Sequence, residues 1–308
     1  MPAEVIRFLV FRFSQAALTI FGVVSLVFFL QRLTGDPVAL LLPETATDDD
    51  IKVMREVMGL DQPVWSQYAN FLFDTFKLDF GFSFVRNAPV SEIITSRIPE
   101  TLELAIGALA FSMVCGFPLG LIMAFTARRQ VSKWLMAFVL ACQSLPTFWS
   151  GIVMILVFGV WLQWLPTSGT GSLSHLIMPS ISLGLLSLAT YARMTRTAVL
   201  EELEKDYIRS ARARGVRGAR LVRKHLLRNS LVPIVSISAI EVSQLLAGAV
   251  VVETVFAWPG LGLLTMQSIA ARDFAVVQII VLLGSFITVS ANLISDLLYS
   301  IIDPRIRL

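Results

Sequence analysis

The chain has 308 residues, of which 56% are hydrophobic and only 15% charged, with a net charge of +3 and a mean hydropathy of +0.74. A soluble domain of ordinary composition carries about 25% charged residues, so these values exclude a soluble enzyme. The two cysteines, Cys115 and Cys142, both lie in apolar runs, read as small core residues and predict no disulfide.

About 20 apolar residues cross a bilayer as one helix, and six runs qualify. The first is Phe8 to Leu30, long enough to span and without a small-residue exit, so it reads as an anchor rather than a cleaved signal. A long loop follows, from Arg32 to Ile98. In it, Thr47 precedes Asp48, Asp49 and Asp50, an N-cap followed by acids against the positive helix end. Ile51, Met54, Val57 and Met58 recur at helical spacing, and Gly59 ends the run. After Pro63, the residues Trp65, Tyr68, Phe71, Leu72 and Phe76 make one aromatic face. That face suits a helix lying on the membrane surface. It equally suits a helix packed on the outer ends of the spans.

Span two runs from Thr101 to Thr126 behind Pro99, and span three from Leu135 to Trp161. Pro118 and Pro146 fall inside them and predict bent helices. Span four covers Ile177 to Met194, span five Leu231 to Phe256 and span six Val276 to Ile301. With the N-terminus inside, the cytoplasmic segments, termini and adjoining span ends hold 18 of the 25 Lys and Arg residues. The positive-inside rule therefore predicts N-in, C-in. Trp161, Trp164 and Trp258 then fall near outer ends, as an aromatic belt requires.

Polar residues within spans usually face a cavity or a partner helix. Glu241, Gln244 and Gly248 share one face of span five, and Ser285, Thr288, Asn292 and Asp296 one face of span six. They are the candidates for lining a cavity through the membrane, against the plainer reading of helix–helix hydrogen bonding. At the outer exit of span five, "ETVFAWPGLG" turns at Trp258-Pro259-Gly260. With Glu253 and an exposed aromatic together, it reads as a loop facing an external partner or plugging a cavity mouth, against the plainer reading of an interfacial anchor with a tight turn.

The connector between spans four and five, about 195–230, is the most unusual stretch. Residues 206–233 hold eight Lys or Arg and one acid. Acids at 201–206 followed by cations suit a helix dipole. Tyr207, Ser210, Ala211 and Arg214 fall on one helical face, small residues at 210, 211 and 213 permit close approach, and Gly215 breaks the helix. Topology alone requires no such knob, so a docking role is favoured over nucleic-acid binding or a purely topological one. Catalytic signatures are missing: no G-x-x-x-x-G-K-[ST], H-E-x-x-H or G-x-S-x-G occurs. His175 and His225 lie on opposite sides of the expected membrane and cannot share a metal. No catalytic or metal site is expected in this chain.

This connector resembles the "EAA" loop of ABC-importer permeases. Arg209, Ser210, Ala211, Gly215, His225, Leu227 and Arg228 occupy the pattern's positions; the Ala, Gly and Leu match, whereas the Glu and Pro do not. The departures fit the dipeptide/oligopeptide/nickel subgroup, whose loop is similar to "DYIRSARARG…KHLLRNSLVP". "LTGDPVALLLP", "MGLDQPVWSQY", "LDFGFSF", "IPETLELA" and "VVETVFAWPGLG" agree, in order along nearly the whole chain. They resemble the first of that subgroup's two permease types, which has a long loop after span one.

The resemblance implies an all-α membrane protein of the type I ABC-importer permease fold, with six transmembrane helices. Residues 1–98 would be the first span with a helical periplasmic loop, and 99–308 a five-span core. It implies a multi-pass protein of the bacterial cytoplasmic (inner) membrane. The partners would be a second permease, two cytoplasmic ATPases that hold the ATP and Mg, and a substrate-binding protein. The coupling residues would be Asp206, Tyr207, Arg209, Ser210, Ala211, Arg214, Gly215, His225 and Arg228. Di- or oligopeptides are the expected cargo; the alternatives are nickel chelates, glutathione or sugars, or a receptor or scaffold role.

Overall fold

The computed structural model describes residues 3–33, 38, 47–216, 221 and 227–302. The chain packs as two compact units. One comprises residues 1–99 with 260–289, the other residues 100–259 with 290–308.

In the first unit, α1 (Ala3–Leu33) is followed by α2 (Asp48–Val57) and α3 (Val64–Phe76). The predicted cap is present: Asp50 N donates to Thr47 Oγ1 at 3.3 Å, and Thr47 N donates back to Asp50 Oδ2 at 2.9 Å. Thr47 Oγ1 also donates to Asp50 Oδ2 at 2.7 Å, and this bond first, then that from Thr47 N, holds the Asp50 carboxyl below its usual range. Gly59, at φ +66°, ends the turn as expected. The aromatic face of α3 packs on α1. Phe28 lies 5.1 Å from Tyr68 and 5.5 Å from Phe71, centroid to centroid, and Phe29 lies 5.7 Å from Trp65. Tyr68 and Phe71 of this face thus pack on α1, while Trp65 and Phe76 stay exposed.

A two-residue hairpin, β1 (Phe82–Ser83) antiparallel to β2 (Ala88–Pro89), leads into α4 (Val90–Thr95). Val90 and Ile94 form a core with Leu264 of α11 (Leu261–Ala270) and with Val276 and Ile279 of α12 (Phe274–Ile302). Buried Asp273 accepts from Ser83 Oγ at 2.6 Å, with Arg86 Nε at 3.8 Å. A buried carboxylate needs such partners.

The second unit holds most of α5 (Ile98–Phe125), then α6 (Gln130–Ser144), α7 (Thr147–Met154), a π turn (Ile155–Trp161), α8 (Leu173–Glu204), α9 (Asp206–Ala213) and α10 (Leu227–Val255). Small residues let α5 and α8 approach backbone to backbone. A Cβ on Gly120 would stand 2.5 Å from Ala192 O, and one on Gly184 would stand 2.8 Å from Ala108 O. Ser112 Oγ lies 2.8 Å from Gly184 O in the same seam. This is the membrane-bundle strategy of close packing by small side chains.

Four apolar helical stretches are long enough to cross a bilayer among the described residues: 10–30, 90–125, 173–204 and 274–294. They cover the expected spans one, two, four and six. Span three is not one kinked helix. It is two helices, Gln130–Ser144 and Thr147–Trp161, meeting at 100°. Pro146 supplies no N–H and drives Leu145 into the extended region at φ −78°, ψ 126°, so the first helix ends there instead of bending. Pro118, by contrast, lies within α5 without ending it. Span five falls on α10, a helix of 29 residues.

Candidate coupling and translocation sites

α8 ends at Lys205, which is extended at φ −70°, ψ 146°, and α9 starts at the next residue. Gly215 then adopts φ +83°, open to a glycine and strained for other residues. The expected docking face is divided. Asp206, Tyr207, Arg209, Ser210, Ala213 and Arg214 are exposed. Ala211 is instead 1% exposed and packs with Ile208 and Leu221 against Leu203 and Val216. Ile208 and Ala211 are three apart, so they share the inward face. The outward face is polar and charged, with an exposed Arg209–Asp206 pair at 3.6 Å. Buried Glu202 accepts bonds from Lys205 and Tyr207. Spacing arguments missed Glu202. The available signal was an acid three residues before a lysine and five before a tyrosine. His225 lies outside the described residues, as does the side chain of Arg228.

The expected stripe on span five does not share one environment. Glu241 is 3% exposed, whereas Gln244 is exposed and Gly248 half-buried against Leu183. Tyr191 Oη of α8 donates to Ser238 Oγ of α10 at 2.9 Å. Glu241 lies three residues after Ser238, on the same face of α10, and so belongs to the side of that helix turned to α8. Its Oε2 has no hydrogen-bond partner among the described residues. On α12, Ser285 Oγ donates to Val281 O of its own helix at 2.8 Å. Thr288 and Asn292 are exposed, and Asp296 has no described side chain.

The turn after α10 corrects another expectation. Trp258 is not an exposed belt aromatic; it is 1% exposed and packs with Leu104, Met178 and Phe256. Its Nε1 donates to Glu100 O at 2.8 Å, and its backbone N–H to Glu253 O at 2.8 Å. Glu253 is fully buried and accepts from Thr101 Oγ1 at 2.7 Å. Gly260 is buried and Pro259 half-buried. The indole N–H requires a partner when buried, and the start of α5 supplies it. Glu253 and Trp258 therefore clamp the end of α10 onto α5 instead of presenting a loop to solvent. Trp161 and Trp164, in contrast, are exposed.

Residues 116–308 match the family described as "Binding-protein-dependent transport system inner membrane component". Residues 5–105 match the N-terminal family "Binding-prot-dependent transport system membrane comp, N-term". The chain is 40% identical over 290 residues to the glutathione transport system permease protein GsiC of Escherichia coli (strain K12), covering 94% of this chain and 95% of that one. GsiC of Shigella dysenteriae serotype 1 (strain Sd197) matches to the same extent. Among solved structures, the inward-facing MetNI methionine ABC transporter in its CY5 native crystal form aligns with a TM-score of 0.54. That alignment has 23% identity and covers 68% of this chain and 97% of that chain, a likeness of fold.

Proposed function

The chain belongs to the binding-protein-dependent transport system inner-membrane component family, that of ABC-importer permeases, and from that premise we propose that it forms half of the translocation pathway of an ATP-driven importer of short peptides. Glutathione, the alternative cargo and itself a tripeptide, is supported comparably by the similarity to GsiC. The observation that carries this reading is the 40% identity, over nearly full length, to a glutathione permease. Six spans with both termini inside, in the bacterial cytoplasmic membrane, accommodate the apolar helices and the distribution of basic residues.

A second permease completes the pathway, two ATPases bind ATP and Mg beneath it, and a binding protein delivers cargo from outside. ATP drives transport only if the ATP-bound ATPase pair binds one permease conformation better than the other. The exposed polar face of α9, with Asp206, Tyr207, Arg209, Ser210 and Arg214, offers the contact for that pair. Gly215, at φ +83°, follows the end of α9. Gln244, Thr288 and Asn292 are the path candidates that remain open at the surface of this chain, whereas Glu241 and Glu253 act within it.

The test is reconstitution with partner subunits in proteoliposomes. Labelled glutathione, dialanine and a nickel–histidine chelate are offered in turn with ATP inside. Uptake of either peptide, with ATPase activity stimulated by the binding protein, is the expected result. Uptake of the nickel chelate alone would move the cargo class. A chain that stimulates no ATPase would favour a scaffold.

A further inference from the structure

The joint between α8 and α9 is a single residue. Lys205 is extended, and residues that end helices in this way commonly serve as hinges. Here the joint is bridged. Glu202, on the last turn of α8, is 7% exposed. Its Oε1 accepts from Lys205 Nζ and its Oε2 from Tyr207 Oη, so one carboxylate grips both the joint and the first turn of α9. Lys205 O accepts from Ile208 N at 3.1 Å and from Arg209 N at 3.3 Å. Beside these bonds, Leu203 of α8 packs on Ile208, Ala211 and Leu221. Glu202 also holds the Lys205 ammonium above the usual lysine range through their hydrogen bond. Burying a carboxylate is unfavourable unless both oxygens are occupied. A connector that only carried positive charge would need no such arrangement.

We propose that Glu202 is a positioning residue that locks α9 to α8, so that a displacement imposed on α9 swings α8 as a lever instead of bending the chain at Lys205. The proposal rests on the reading of α9 as the ATPase-coupling helix. α8 has 32 residues, about 48 Å at 1.5 Å per residue. Along that length it meets α5 at Gly184 and α10 through Tyr191. With the joint locked, motion at α9 reaches both contacts; with it loose, motion is absorbed at Lys205.

Spin labels at T197C and A213C, both exposed positions flanking the joint, report its rigidity in a C115A/C142A background. The full-length chain is measured in nanodiscs by pulsed EPR, and the complete importer by uptake of labelled glutathione per ATP hydrolysed. The parent should give a narrow distance distribution. Glu202→Ala should broaden it and lower uptake per ATP by at least about fivefold, the lower end of allosteric coupling factors. Glu202→Gln keeps an acceptor for Lys205 Nζ and an N–H for the Tyr207 oxygen but loses the charge, so it should broaden the distribution less than Glu202→Ala and recover part of the uptake per ATP; uptake per ATP that does not follow the width across the two variants would overturn the part of the lock in coupling. If Glu202→Ala does not accumulate, Tyr207→Phe removes one bond and serves the same comparison. An unchanged distribution overturns the lock, and a broadened one with unchanged uptake per ATP overturns its part in coupling. If the parent complex shows no ATPase stimulation while the distribution still broadens, the functional reading fails and the lock stands.

Discussion

Glu253 has no contact with solvent, so its oxygens must be satisfied from within, and Thr101 Oγ1 at 2.7 Å supplies one partner. Glu253→Ala would remove the acceptor of that bond and leave a cavity in the core, and should destabilise the protein by about 1–3 kcal/mol. Glu253→Gln keeps an acceptor and should lose less; thermal unfolding in detergent compares the two. Gly215 makes a different kind of prediction. Nothing lies within 4 Å of a Cβ built there, so only its φ of +83° resists substitution. Gly215→Val should strain the backbone by about 1–2 kcal/mol while leaving membrane insertion intact, with uptake falling because the end of α9 is displaced. Unchanged uptake would count against that role. Polar residues in apolar runs were legible as special from the sequence, but not the direction they face. Glu241 turns into the α8–α10 seam, Trp258 into the core, and Ala211 inward beneath α9. Periodicity says which residues share a face, and only the packed neighbours say what that face meets.

Helix ends were the most legible elements, because their signals are local. Thr47 with Asp50 starts α2, and Gly59 ends its turn. The 100° turn at Pro146 was not legible as such, since a proline inside an apolar run can bend a helix or stop it. Pro118 sits inside one helix and Pro146 between two. The α5–α8 seam was also hidden, because a glycine in a span looks alike whether it faces lipid or a neighbouring backbone. The structure separates these cases. Gly120→Ala would set a Cβ 2.5 Å from Ala192 O, forcing the helices apart, and should destabilise by about 1–3 kcal/mol, as overpacking does. Gly22 and Gly284 have nothing within 4 Å, so alanine at either should be neutral or stabilise by up to about 1 kcal/mol. Equal unfolding temperatures for all three variants would refute close packing of α5 on α8.

At the scale of the whole molecule, family membership was legible because several motifs occur in order along the chain, whereas cargo was not. On the proposed function, the residues that touch cargo line a path shared with a second permease, and a linear pattern does not distinguish lining from packing. Orientation rests on charge. Moving arginine across a bilayer is unfavourable, so a connector with eight Lys or Arg in 28 residues is expected to remain in the cytosol. Exposed positions on opposite sides of the expected membrane allow a direct check. Ala213 lies on α9, and Ala69 on α3 in the long loop. With Cys115 and Cys142 replaced, A69C should react with a membrane-impermeant maleimide in intact cells once the outer membrane is permeabilised. A213C should react only in inverted vesicles. Labelling of A213C from outside would place the arginine-dense connector beyond the reach of any cytosolic ATPase, and both the coupling role of α9 and the lever built on α8 would fall with it.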